Sequence, residues 1–424
     1  MSAGEQVNTG NRSAVPFWTV LTAHGISLTG NAMTILAVPW FVLTLTGSAT
    51  QTGLTAAIAF LPMVLGLTLG GAVVDRVGHR RASIVCDLVA GVMIGLIPVL
   101  HRFDALSFPT LLLLVFVAAL FDTPGNTGRQ AMLPDLAEQA AMPIERATSF
   151  LGVLERSARM VGAPLAGVLI AVMGPVNVLV LDAATFLVSA LLVALVRVPG
   201  TGRPAAAASG YLAELKEGFA FTAREPLLRA IALLLAVTNV LDVAYSTVVI
   251  PVYADEVLSG AGSAGLLIGT SAFAAVLGGL AFGTYGMRLP RWQLFGIAFA
   301  LVGVPRCLIL AAEPGLPVLL VVVVATGFCS GVLNPILSSA AYQRTPADLR
   351  ARVLGAVFSG AFALVPLGPL LGGVLLAGGG LRTTLWVFAA GYALAAATVF
   401  TMPVWRTLGR PPAATTATGT ERPA

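Results

Sequence analysis

Charge is scarce in this chain of 424 residues: Asp, Glu, Lys and Arg together make up 10%, against about 25% in an ordinary soluble domain. Mean hydropathy is +0.91 and 57% of the residues are hydrophobic. Such a chain cannot cover itself with a water-compatible surface, which places it in the membrane class. Lysine is scarcer still. The one lysine, Lys216, lies in a polar stretch, so there is no Gly-x-x-x-x-Gly-Lys-Ser/Thr phosphate loop to support ATP hydrolysis. Cys86, Cys307 and Cys329 stand far apart, inside or beside apolar runs. They make no disulfide framework, zinc spacing or haem motif. His24, His79 and His101 are scattered too, so no metal site is indicated. No basic patch is interleaved with stacking aromatics, so nucleic acid is not an expected partner. No catalytic residues and no cofactor are expected.

Apolar length is abundant. A spanning helix takes ~20 mostly apolar residues, and lipid gives an open backbone no hydrogen-bond partner. The short alternating strands of a barrel do not occur. Twelve stretches qualify, at 16–45, 51–74, 82–100, 106–128, 146–173, 175–197, 228–252, 262–287, 291–311, 315–340, 352–378 and 381–402. The stretch 146–173 is the least regular, because it contains charges. The expected fold class is all-α membrane protein with twelve transmembrane helices. The polar residues 1–16 lack a signal-peptide pattern, and the first apolar run is too long for one.

Loop charge orients the chain. With the N-terminus in the cytoplasm, only Arg102 and Arg382 fall in outer loops, and Arg156, Arg159 and Arg306 fall inside spans. The rest of the 24 basic residues lie on the cytoplasmic side. That asymmetry satisfies the positive-inside rule, so both termini are expected in the cytoplasm of a cell with this protein in its inner (plasma) membrane. The net charge of +5 reads as anchoring to the anionic leaflet.

The longest polar interval, 198–227, divides six spans from six. Its later part, "YLAELKEGFAFTA", suits a short amphipathic surface helix. The halves resemble each other: "PLAGVLIAVMG" from Pro164 matches "PLLGGVLLAGG" from Pro369, and "MPIERATSFLG" sits like "TPADLRARVLG". The expected organisation is a segment 1–16, a bundle 17–197, a linker 198–227, a pseudo-symmetric second bundle 228–404, and a disordered tail 405–424. Repeated six-helix halves suggest a transporter with its site between them.

The stretch "GGAVVDRVGHRR", Gly70 to Arg81, gathers charge between the second and third spans. The pattern Gly71-x-x-x-Asp75-Arg76-x-Gly78-x-Arg80-Arg81 resembles the signature loop of the major facilitator superfamily. Gly71 lets a neighbouring helix approach, Asp75 can face a helix N-terminus, Gly78 permits a turn, and the arginines hold the leaflet. The resemblance implies that Asp75 latches the halves together, with the start of the eleventh span near Arg352 as partner. The second-half counterpart, "GGLAFGTYGMRLPR", has Gly283 and Thr284 where Asp and Arg would stand, so the latch is one-sided. Further stretches, such as "DTPGNTGRQAMLPDL", resemble the branch with macrolide-efflux proteins, the enterobactin exporter and lysophospholipid transporters. The resemblance runs from Phe17 to Val404. "GAPLAG", with Gly162, Pro164 and Gly167, is similar to the proline-glycine motif of the superfamily's antiporters, though Ala163 and Val168 replace usual glycines.

Ionisable groups within spans are functional candidates. Asp122 lies about 20 Å along its span, with Asn126 and Arg129 on the same side. The resemblance implies that spans one, four, seven and ten line a central cavity, which makes Asp122 a proton-carrying candidate or a structural partner of Arg129 or a fifth-span arginine. Glu155 can pair with Arg159 four residues on, which leaves Arg156 to find another partner, Asp122 among the choices. Asn239, Asp242 and Tyr245 recur at helical spacing, a candidate substrate stripe with Asp242 a second coupling carboxylate and Glu155 a third. Asn31 and Asn334 are neutral cavity candidates. Asp182 reads as structurally paired, and Arg306 as snorkelling outward or paired. The resulting expectation is a secondary transporter that works as a monomer in the lipid bilayer by alternating access. It exports an amphipathic small molecule in exchange for protons, driven by the proton gradient. A lysophospholipid transporter without proton coupling and a non-transporting membrane scaffold or receptor are the alternatives.

Overall fold

Proline, glycine and serine decide where the helices begin and end. Helix α1, Val15–Thr46, starts on a proline and stops at Gly47, whose φ is +62° and whose N–H returns to the Leu43 carbonyl at 2.8 Å; only glycine takes that left-handed turn freely. Ser48 caps α2, Ala49–Val77, by accepting from the Gln51 N–H. Gly78, at φ +90°, turns the chain into α3, His79–Arg102. Ser107 caps α4, Phe108–Ala131, and α5, Leu133–Gln139, follows. Helix α6, Ile144–Leu195, is broken at Gly174, where φ is +80°. Unbroken at about 1.5 Å per residue, it would far outrun the ~30 Å hydrocarbon core.

The second half follows the same grammar. A linker helix α7, Tyr211–Arg224, leads to α8, Pro226–Ala244, a π-helical turn, Tyr245–Val249, and α9, Ile250–Glu256. Then come α10, Ala261–Tyr285; α11, Arg291–Ala311; α12, Leu316–Arg344; α13, Arg350–Phe362; and α14, Leu367–Thr401, broken at Gly380 with φ +71°. The computed structural model describes residues 13–196, 211–258, 260–285, 290–346 and 349–409, without the side chains of 64–73, 75–76, 159, 163, 211–215, 285 and 351. Among the described residues nine helices are long and apolar enough to cross a membrane, and there is no strand. The described part of each of the twelve expected spans falls on or within a residue or two of these helices.

Two ends of the bundle differ. One carries the Gly78 turn, the linker helix and most arginines; the other carries the turns at Gly47, Gly174 and Gly380. At the arginine-poor end a single apolar core runs across both halves, joining Met33, Trp40 and Ile170 to Val249, Leu267 and Phe388. Each half has its own core at the arginine-rich end. Phe17, Met132 and Val193 belong to one, and Phe295, Ile336 and Trp405 to the other. The halves are thus sealed at one end and parted at the other.

Glycine makes the seal. A Cβ on Gly167 of α6 would stand 2.5 Å from the Gly265 Cα of α10, and the Pro164 ring occupies the place where Gly269 lacks a side chain. The symmetric contact joins α2 to α14: Gly53 faces the Pro369 carbonyl, and a Cβ on Gly373 would meet the Ala49 carbonyl at 2.7 Å. Both repeat motifs, around Pro164 and around Pro369, therefore act at contacts between the halves. Gly162 instead receives Ala32 of α1.

Two expectations change. Disorder from residue 405 gives way at its start: a 3-10 turn, Pro403–Thr407, buries Trp405 and stacks it on Phe295 at 5.4 Å. Arg80 does more than meet lipid headgroups. It donates to the carbonyls of Val193 and Ala194, at 3.3 and 2.6 Å, and so caps the negative end of α6. The side chains of Asp75 and Arg76, with Gly71, lie outside the described residues, as do 1–12 and 410–424. Arg352 donates to Glu217 of the linker helix at 2.7 Å.

A bulky side chain at the seal should wedge it open. Gly167→Leu is expected to raise thiol-reagent access to a cysteine placed at Ser263 and to slow transport at least tenfold. Unchanged access would contradict the contact described.

Candidate functional site

A cavity of about 1200 Å³ opens between the halves below the seal. Its wall comes from α6, α8 with the π turn, α10, α11 and α12, with Tyr392 of α14. Apolar residues such as Leu234, Leu267, Phe299 and Val323 make most of it, and Asn239, Asp242, Tyr245, Arg306 and Asn334 supply polar points. This mixture of broad apolar area and few polar groups is usual for small-molecule sites.

The backbone positions those polar groups. Pro251 has no N–H to give the helix, and the chain answers with the π turn, in which Ile250 N–H reaches back to the Tyr245 carbonyl. Single π turns of this kind often mark functional sites. Tyr245 then lies against Arg306 of α11, 4.5 Å from guanidinium to ring centre, with Tyr392 on the guanidinium at 4.7 Å. Arg306 also donates to Asp242 and to the Tyr392 hydroxyl, and that hydroxyl donates to Asp242 at 2.6 Å. The Asp242 side chain is 46% exposed and that of Arg306 16%, so the acid of the pair faces the open cavity. Asn239 donates to the Ala361 carbonyl at 3.0 Å. That carbonyl is spare because Val365 N–H bonds Phe362 instead as α13 ends.

A second polar assembly lies wholly within the first half. Gly125 and Gly128 of α4 let α3 approach, and this brings the buried Arg129 to Asp87. Arg129 donates to Asp87 at 2.5 Å, to His24 Nδ1 at 3.1 Å, to Ser27 at 3.1 Å and to Asn126 at 2.5 Å, with Ser83 and Ser189 farther out. Asn126 passes its amide on to Asp122 at 3.0 Å, and Asn31 donates to the other Asp122 oxygen at 2.5 Å. His24 Nε2 stands 3.6 Å from Glu155, which accepts from Gln130 at 3.0 Å. Asp182, buried, accepts from Thr34 and Thr185.

A family model for the Major Facilitator Superfamily matches residues 20–258 and again 232–424, one match for each half. The chain belongs to that superfamily. The multidrug efflux pump Tap of Mycolicibacterium fortuitum is 31% identical over 379 residues, which is 88% of this chain and 92% of that pump. Its namesake in Mycobacterium tuberculosis is 28% identical over 409 residues, 95% of this chain and 97% of the pump. Among solved structures, the nucleoside transporter NupG superposes with a TM-score of 0.72 at 12% identity, covering 91% of this chain and 98% of the other; that likeness is one of fold. A superfamily member with these relatives is a multi-pass membrane transporter of small molecules, and not an enzyme.

Several expectations need correction within this superfamily fold. The described cavity draws on the fifth, seventh, eighth, ninth, tenth and twelfth spans. Asn31, Asp122 and Asn126, expected to line it, are held by one another in the first-half assembly. Asp122 is no partner of Arg156: its oxygens take the two asparagine amides, while Arg156 is exposed in the cavity wall. Arg129 finds its acid in Asp87 rather than Asp122. Glu155 meets Gln130 and His24; the Arg159 side chain lies outside the described residues. Asp87 itself was missed, although an acid inside the third span is a signal by type alone. Tyr392 carried no signal, since a tyrosine in an apolar run reads the same whether it faces lipid or an arginine.

Removing one partner of a buried ion pair costs about 3–5 kcal/mol. Asp87→Ala should therefore lower the unfolding temperature in detergent sharply, whereas Asp242→Ala, half open to the cavity, should lower it far less. Equal losses would mean that the two pairs are not different in kind.

Proposed function

We propose that this transporter exports an amphipathic small molecule in exchange for protons, alternating access between the two sides of the membrane. The carrying observation is the 1200 Å³ cavity, mostly apolar, shut at the arginine-poor end by the glycine seal and parted at the other. With the arginine-rich end in the cytoplasm, as the positive-inside rule requires, the cavity faces the compartment from which an exporter loads. The similar Tap proteins are described as multidrug efflux pumps, which supports an apolar, tolerant site. The termini then lie in the cytoplasm.

Asp122 is the coupling carboxylate. Protonating Asp87 or Asp242 would strand Arg129 or Arg306 in a low dielectric, where an unpaired charge is costly. Protonating Asp122 strands no cation, because its two partners are asparagine amides. Asp182 shares that freedom but is 0% exposed, while Asp122 is partly open. Glu155, partly exposed beside His24, is placed to pass protons toward the assembly.

In inverted vesicles, accumulation of an efflux dye should need an imposed proton gradient. Asp122→Asn should keep dye binding and lose gradient-driven accumulation about a hundredfold, the range a positioned proton-transfer group contributes. Accumulation unaffected by a protonophore would return the chain to the uncoupled lysophospholipid reading.

A further inference from the structure

The charged side chains in the cavity wall, among the described residues, are Arg156, Asp242 and Arg306. Two of them neutralise each other. Arg306 is held by the Asp242 carboxylate and lies over the rings of Tyr245 and Tyr392, so its charge is already met within the second half. Arg156 is different. It comes from α6, in the other half, it is exposed, and no ion pair or hydrogen bond to a described residue satisfies it. Counted from the start of α6 at Ile144, it lies about 18 Å along the helix, within the expected fifth span 146–173, where a lone cation is expensive and marks a site by default. Among the described residues, the cavity wall therefore carries one positive charge without a partner, set opposite an already neutral pair.

We infer that the substrate class bears an acid group, a carboxylate, sulfonate or phosphate, which Arg156 receives while the apolar body lies along Leu234, Leu267 and Phe299. A guanidinium binds such oxyanions with two parallel charge-assisted hydrogen bonds. A purely cationic amphipath would meet the opposite situation: it must enter a cavity of like charge and displace Arg306 from Asp242. Ser157 and Met160, one and four residues beyond Arg156 on α6, also line the cavity, so the acid is seated on the first-half wall. This inference rests on the cavity being the substrate site. It does not rest on proton coupling, which Asp122 is assigned to perform elsewhere.

Equilibrium binding tests it without any gradient. The full chain is placed in nanodiscs of zwitterionic phosphatidylcholine, with empty discs subtracted. It is titrated with three dansyl-alkyl probes of one chain length that end in carboxylate, carboxamide or ammonium. Wild type should bind the carboxylate about tenfold more tightly than the carboxamide, with the ammonium weakest. The carboxylate preference should collapse toward unity in Arg156→Ala and Arg156→Gln and persist in Arg156→Lys. An ammonium probe that binds most tightly to wild type, or a preference that survives Arg156→Gln, overturns the inference. The wild-type ranking and the Lys variant decide the matter even if the Ala variant does not fold. Because no proton gradient is present, failure of gradient-driven export in vesicles leaves this result standing, and the reverse holds equally.

Discussion

Contact of backbone on backbone, where glycine lets two helices meet without side chains between them, is the constraint on which this architecture rests. In lipid no hydrophobic force separates helix from solvent, so close packing and polar contacts must hold helices together. The chain uses that contact at two places related by its internal symmetry, α6 on α10 and α2 on α14. Both lie toward the same end of the bundle. One continuous core follows there, and two separate cores at the other end. The cavity is the geometric remainder: two rods in contact at one end and apart at the other enclose a wedge.

Within that wedge the two halves divide the polar work. The first half buries Arg129 with Asp87 and surrounds it with hydroxyl, imidazole and amide groups, leaving Asp122 at the edge with neutral partners. In the second half Arg306 and Asp242 stand in the cavity wall, with two tyrosines covering the guanidinium. One cation is sealed from water and the other borders it. The acid exposed to the cavity is already paired, and Asp122, the carboxylate proposed to couple, lies apart from the cavity wall. In the exchange proposed above, coupling would run through motion of the halves, without direct competition between proton and substrate for one carboxylate.

The span pattern and the repeat were legible because both depend on runs of residues: apolar length, and Pro164 and Pro369 in matching surroundings. Gly78 was legible as a turn for a similar local reason. The partners of the charges were not. Whether Arg129 meets Asp122 on its own helix or Asp87 on α3 turns on Gly125 and Gly128, which let α3 close to hydrogen-bond distance, and nothing local to Arg129 records that. Arg306 and Asp242 are far apart in sequence and were read singly. The expected set of cavity-lining spans failed at Asn31 and Asn126 for a related reason. A polar residue on an inward helix can satisfy a neighbouring side chain as readily as a ligand, and spacing along one helix does not distinguish these.

Arg129 touches groups on α1, α3, α4 and α6 at once. Its guanidinium is planar and its donors point in fixed directions. It therefore works as a cross-brace. None of these four helices can slide along its axis without lengthening a charged hydrogen bond in a medium that offers no replacement. A single side chain thus ties four helices of the first bundle against sliding past one another. The seam between the bundles is of another kind: there glycine faces glycine, and the contacts described are of backbone on backbone.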